Sequence, residues 1–180
     1  IGSIFHIISD ACMTLCLFLG AGIILHKCKT THFDGLRGLF SRMPLTMIGF
    51  FIGGFSIIGL PPTCGFFSKW YLITGGMVSQ RWEYMVVLMF STMVMVILFF
   101  RLIERIHLAV DESGKNLGKG HGDLGLTKEQ TRFDEAPLVM LIPLLVAASI
   151  VLLIGVYNQD VVNQIEIFLK AYGLPTGVEY

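Results

Sequence analysis

Charge is scarce in this chain. Asp, Glu, Lys and Arg make up 14% of its 180 residues, against roughly 25% in an ordinary soluble domain. The 13 Lys and Arg balance the 13 Asp and Glu, so neither a basic nucleic-acid footprint nor an acidic tail is present. Four cysteines, Cys12, Cys16, Cys28 and Cys64, contain no CxxC pair, and most of them lie in apolar runs where a thiol serves as a small hydrophobe. The polar stretch holding GKGHG lacks the Walker spacing GxxxxGK[ST], which excludes that phosphate cradle. No hydroxyl or thiol nucleophile is accompanied by a credible base, so the chain is read as having no catalytic centre of the soluble hydrolytic kind. His26, Cys28 and His32 in HKCKTTH have ligand chemistry but no fourth ligand at tetrahedral spacing, so neither a metal nor a cofactor is expected. An initiator methionine, a basic n-region and a cleavage site are also missing, as expected of a piece of a longer polypeptide.

What the chain has is hydrophobicity, at 54% of residues. About 20 apolar residues of helix cross a bilayer core of about 30 Å, and Ser3 to Leu25, Met85 to Leu102 with its flanks, and Pro137 to Tyr157 meet that length. The run from Met43 to Val78 is too long for one straight crossing, since at 1.5 Å per residue it would stretch about 54 Å. Pro61 and Pro62, followed by Thr63, Cys64 and Gly65, unwind it locally, because proline lacks the backbone donor and clashes with the preceding turn. Lys and Arg then decide between one broken crossing and two short ones. With one crossing, Lys27, Lys29, Arg37, Arg42, Arg101, Arg105, Lys115, Lys119, Lys128 and Arg132 share a side, and only Arg81 and Lys170 face the other. Two crossings would erase that asymmetry, so one broken crossing is expected, with the basic loops cytoplasmic and the C-terminus outside. Trp82, Tyr84 and Tyr157 fall near the outer interface in this arrangement, where amphipathic aromatics gather.

The expected architecture is therefore all-α and integral to the membrane, with about four crossings in a single membrane domain. A transmembrane helix over 1–26 leads through a cytoplasmic loop at 27–42 to the broken helix over 43–79. A crossing over 83–104, a polar Gly-rich cytoplasmic loop at 105–135 and a crossing over 136–157 follow. Val161, Val162, Ile165, Phe168, Leu169 and Tyr172 then recur at helical spacing, with Glu166 and Lys170 as an i,i+4 pair. They predict an amphipathic helix over 158–173 outside, stopped by Gly173 and Pro175, on the membrane surface or against a partner.

Lys69 is the residue that most needs a reason. An ammonium at the bilayer centre costs about 2.5–3.5 kcal/mol on insertion scales, and intramembrane charges mark ion and proton paths. Opened backbone at membrane depth is tolerated where it is buried in protein or lines a wet cavity, and its freed carbonyls can hold ions. A partly desolvated lysine there could load and unload a proton near neutral pH. The competing reading has Lys69 snorkelling to the nearer interface along its four-carbon stem. On the first helix His6, Asp10 and Thr14 are spaced i, i+4, i+8, with Ser3 and Ser9 close to the same face, a polar line able to relay protons or simply solvated near the helix end. Gly49 and Gly53 form a GxxxG step of the kind that brings helices close.

The segment GLRGLFSRMPLTMIGFFIGGFSIIGLPPTCGFFSKWYLITGGM closely resembles the antiporter-like membrane subunits shared by respiratory complex I, Mrp-type sodium/proton antiporters and membrane-bound hydrogenases, with the D-type members of the Mrp antiporters the nearest in character. The likeness continues through FHIISDACMTLCLFLGAGIILH, FFRLIERIHL and EAPLVMLIPLL. It implies a bundle of about fourteen helices with two inverted repeats, each containing one broken helix, of which this chain would supply the last four crossings. Lys69 then matches the lysine that the family uses to pass protons toward the outer half-channel. His6 matches the first position of the family's His-x3-His-x3-Lys, whereas Asp10 and Thr14 replace the second histidine and the lysine. The resemblance implies a proton or Na+/H+ translocating subunit of a multisubunit antiporter, working with the missing N-terminal half, other membrane subunits and the lipid bilayer, and not transporting alone. The alternatives are a membrane-arm subunit of an NADH:quinone oxidoreductase or hydrogenase, and a non-conducting structural paralogue.

Overall fold

The computed structural model describes residues 1–28, 42–115 and 135–173, with the side chains of residue 28 and of residues 105–115 left undescribed. His32, Lys29 and Arg37 of the first loop, Lys119, Lys128 and Arg132 of the second, and Pro175 lie outside the described residues. Six helices are described: α1 (Gly2–Cys28), α2 (Pro44–Ile58), α3 (Cys64–Val78), α4 (Trp82–Lys115), α5 (Leu138–Val156) and α6 (Asn158–Ala171). Segments of α1, α4 and α5 are long and apolar enough to span a membrane, and α2 is a shorter apolar helix. The chain is an all-α, multi-pass membrane protein.

α2 and α3 pack against α1 as one interrupted helix. Following α1 from its end to its start, Gly20 lies on Phe50, Cys16 on Gly53, Met13 on Ser56, His6 on Ser68 and Gly2 on Tyr71. The two half-helices therefore run consecutively and antiparallel along the whole of α1. α5 runs beside them in the opposite sense to α1. Its approach begins with Glu135 at Leu45 and continues with Leu144 on Gly49 and Gly155 on Pro62, and just past its end Asn158 meets Tyr71.

Glycine sets how close these helices come. A Cβ on Gly49 would lie 2.8 Å from Leu144, and one on Gly53 would lie 3.3 Å from Cys16, so the GxxxG step serves packing. Cys16 Sγ donates to Gly49 O at 3.3 Å, a contact open only to closely packed backbones. The buried core joins Met13, Cys16, Cys64, Leu144, Ala147, Ala148 and Val151 from α1, α3 and α5. α4 stands apart, with only 6% of its apolar window buried, and docks through Phe99. That ring sits over Gly54 and makes edge contacts with Phe51 and Phe55 at 6.0 and 5.6 Å, within the range where aromatic pairs attract.

Two segments differ from the expected boundaries. α4 does not give way to a loop at 105 but continues to Lys115. The stretch RIHLAVDES holds neither proline nor glycine, so nothing local ends the helix when the apolar window does. α6 divides its apolar residues between two faces. Ile165 and Leu169 pack with Phe5, Phe67 and Tyr71 at the end of the α1–α3 pair, while Phe168 and Tyr172 are exposed, their rings in tilted contact at 4.7 Å. Glu166 and Lys170 are ion-paired at 2.6 Å.

Candidate functional site

The broken helix presents its backbone as a set of groups to be satisfied. A helix ends with four carbonyls that have no intrahelical partner, and in α2 these belong to residues 55–58. Gly59 ends α2 in the left-handed region at φ +93°, a conformation that favours glycine. The N–H groups of Gly59 and Leu60 both return to Phe55 O at 3.0 Å. Thr63 closes the next turn, its N–H and its hydroxyl donating to Leu60 O at 3.1 and 2.6 Å. Pro61 and Pro62 are exposed on the outside of this turn, where their missing N–H groups cost nothing.

The carbonyls of Ile57 and Ile58 are taken by Lys69. Its Nζ donates to Ile57 O at 2.6 Å and to Ile58 O at 3.0 Å. The side chain is half-buried and folds back across the break instead of running along α3 toward its end. A cation on the last carbonyls of a helix also meets the negative end of its dipole. Lys69 thus serves as the C-terminal cap of the preceding half-helix, eleven and twelve residues back in the chain.

The remaining carbonyl, Ser56 O, faces the backbone of Gly65. A Cβ on Gly65 would lie 1.7 Å from that oxygen, so only glycine allows this approach. The Gly65 N–H donates to Ser56 Oγ at 3.3 Å, and Ser56 Oγ lies 3.6 Å from Cys64 Sγ and 3.7 Å from Met13 Sδ. Both ends of the break are thereby tied: Lys69 reaches back from α3, and Ser56 reaches forward from α2.

Of the expected polar line on α1, the structure turns His6 and Ser9 toward the break. His6 Nδ1 lies 3.1 Å from Ser68 Oγ, and Ser68, fully buried and next to Lys69 in sequence, donates to Gly65 O at 3.1 Å. Ser9 is fully buried, and its Oγ has no hydrogen-bond partner among the described residues. Asp10 is exposed, Thr14 half-buried and Ser3 exposed. The line is therefore split, with His6 and Ser9 turned toward α3 and the core, and Asp10 on the open face.

Several residues at the site carry no signal in the sequence. Ser68 is an ordinary serine until α1 is laid against it. Tyr71 Oη donates to Asn158 Oδ1 at 3.2 Å, and Asn158 Nδ2 donates to Gly155 O at 2.9 Å, which fastens α3 to the α5–α6 corner. At the far end of α2, Glu135 accepts from Leu45 N–H at 2.9 Å and from Thr46 Oγ1 at 3.3 Å. α2 has no side-chain cap of its own at the N-terminus, and the acid just ahead of an apolar span is the one hint the sequence offers. Half-helix α2 is thus held by a carboxylate at its N-terminus and an ammonium at its C-terminus, both signs matching its dipole.

Known proteins share this arrangement of sequence. The subunit N of the NADH-quinone oxidoreductase of Desulforudis audaxviator is 32% identical over 97% of this chain, which spans 34% of that protein. One of the subunits of the Na+/H+ antiporter of Bacillus subtilis is 45% identical over 37% of the chain, and component B of hydrogenase-4 of Escherichia coli is 38% identical over 39%. The chain covers only 8% and 11% of those two proteins, so it spans about a third or less of each of these relatives. All three are named as subunits or components of larger systems. Residues 1–96, which include α1, the whole break and the start of α4, match the family described as NADH:quinone oxidoreductase/Mrp antiporter, TM. The chain belongs to that family of membrane subunits.

Proposed function

We propose that this chain forms the C-terminal part of a proton-translocating subunit of a multisubunit cation/proton antiporter, with Lys69 as the group that takes up and releases the proton. The observation that carries this reading is the seat of Lys69 Nζ on Ile57 O and Ile58 O at the break. An ammonium has three N–H donors and a neutral amine has two. Two carbonyls are therefore served in either state, and the third direction holds a proton or a lone pair. The clamp survives the chemistry while the charge changes. Because Lys69 is half-buried, a charge arriving on a neighbouring subunit biases its protonation strongly, as expected in a poorly solvated site.

His6, beside Ser68, is the titratable partner supplied by α1, and Asp10 and Thr14 form the open face toward the rest of the bundle. That face is the seat for the N-terminal half and other membrane subunits, with H+ as the translocated species and Na+ as the counter-ion. The basic loops are assigned to the cytoplasm, and Trp82, Tyr157, α6 and the C-terminus to the outer side of a plasma or inner membrane. The test is ion-driven proton flux in vesicles holding the full assembly with Lys69→Met. Loss of flux is expected, and unchanged flux removes the role.

One observation favours a second reading, in which the parent is a redox-driven quinone oxidoreductase. The match to subunit N runs along nearly the whole chain, whereas that to the antiporter protein covers 37% of it. Purification of the intact assembly with flavin and iron–sulfur subunits would favour this second reading.

A further inference from the structure

The hydrogen bonds around Ser68 have a direction. Ser68 Oγ lies 3.1 Å from His6 Nδ1 and 3.1 Å from Gly65 O. A serine hydroxyl has one proton to donate and two lone pairs to accept with, and a carbonyl can only accept. Both contacts are hydrogen bonds in one arrangement only: the hydroxyl proton goes to Gly65 O, and His6 donates Nδ1–H to the serine oxygen. If His6 Nδ1 were the acceptor, Ser68 would have to withdraw its proton from Gly65 O, and one contact would lapse. Ser68 is fully buried, so water does not supply the missing partner, and the doubly bonded arrangement is the favoured one.

We infer that Ser68 is a positioning residue that holds neutral His6 in its Nδ1–H form, so that the ring exchanges its mobile proton at Nε2 and not through Ser68. Nδ1 is already occupied by its brace. The serine proton, aimed at a backbone carbonyl that cannot pass it on, ends the line there. Although Ser68 is adjacent to Lys69 in sequence and touches His6 in space, it is no wire between them. A proton moving between these two groups leaves from Nε2 by another path. This inference rests on the transport reading only in calling the Nε2 proton mobile; the tautomer is a property of the ground state.

The experiment uses the full assembly containing this chain, labelled with ¹⁵N-histidine and measured by solid-state NMR at a pH where imidazole is neutral. The His6 signals are isolated by difference against His6→Gln. A protonated-type Nδ1 and an unprotonated-type Nε2 are expected, and Ser68→Ala should raise the share of the Nε2–H form about three- to tenfold, the worth of one lost hydrogen bond. An Nε2–H tautomer in the unaltered protein overturns the inference without any variant. Proton flux then separates brace from wire. Ser68→Ala should slow flux by about three- to tenfold, and abolition as complete as in Lys69→Met would overturn the brace. Flux unchanged in both Lys69→Met and Ser68→Ala, with the Nδ1–H tautomer observed, upholds the brace and sinks the transport reading instead.

Discussion

Replacing Gly65 with alanine tests whether the two halves of the broken helix are as tightly joined as their contacts indicate. The added Cβ would stand 1.7 Å from Ser56 O, and contacts below 3.0 Å are essentially never seen. The backbones must therefore part by at least 1.3 Å, the difference between those distances. The Gly65 N–H to Ser56 Oγ bond, already 3.3 Å, cannot survive such a shift. The Lys69 bonds to Ile57 O and Ile58 O are stretched with it. Three hydrogen bonds at about 1 kcal/mol each give a loss of about 3 kcal/mol, in the range for overpacking a close contact. Gly75, on the same helix, is the control: a Cβ there meets nothing within 4 Å. Gly75→Ala should be neutral or stabilising by up to about 1 kcal/mol from helix propensity. Thermal unfolding of the purified assembly, followed by the loss of helical signal, reads both variants. Equal melting of Gly65→Ala and the parent would refute the close joint, and with it the account of why glycine stands at this position.

Ser9→Ala should leave stability unchanged or raise it by about 1 kcal/mol, because a buried hydroxyl without a hydrogen-bond partner carries a desolvation cost that alanine does not. A clear drop in melting temperature would show that the hydroxyl is paired in the assembly. Glu135→Ala should cost about 1–2 kcal/mol by uncapping α2, with Glu135→Gln losing about half of that because an amide oxygen still accepts. Faster amide exchange at Leu45, whose N–H the carboxylate holds, is the direct readout. Exchange unchanged in Glu135→Ala would dismiss the cap.

Much of the site was legible locally. Two consecutive prolines remove two backbone donors wherever they stand, so the break at Pro61-Pro62 follows from residue chemistry, and Lys69 is conspicuous because a charge in an apolar run is expensive. The count of basic residues favours one crossing, and the structure lays α2 and α3 consecutively and antiparallel along α1. The partners were not legible. Helical spacing placed Ser9 near His6 and Asp10, yet Ser9 is buried and Asp10 exposed, because periodicity gives relative angle on a helix and leaves its rotation against neighbours undecided. Glu135 and Leu45 are 90 positions apart, and His6 and Ser68 are 62 apart, distances over which no local pattern operates.

The chain alone determined that it is a membrane protein, which segments are long and apolar enough to cross, where its longest apolar run breaks and which lysine stands at the break. These follow from hydrophobic length, from proline's missing donor and from the cost of unshielded charge, all properties of residues in order. Only the packed structure decided what that cation holds and which way a serine proton points. Those depend on which carbonyls and rings are brought within roughly 3 Å, and hydrogen bonds are settled between neighbours in space.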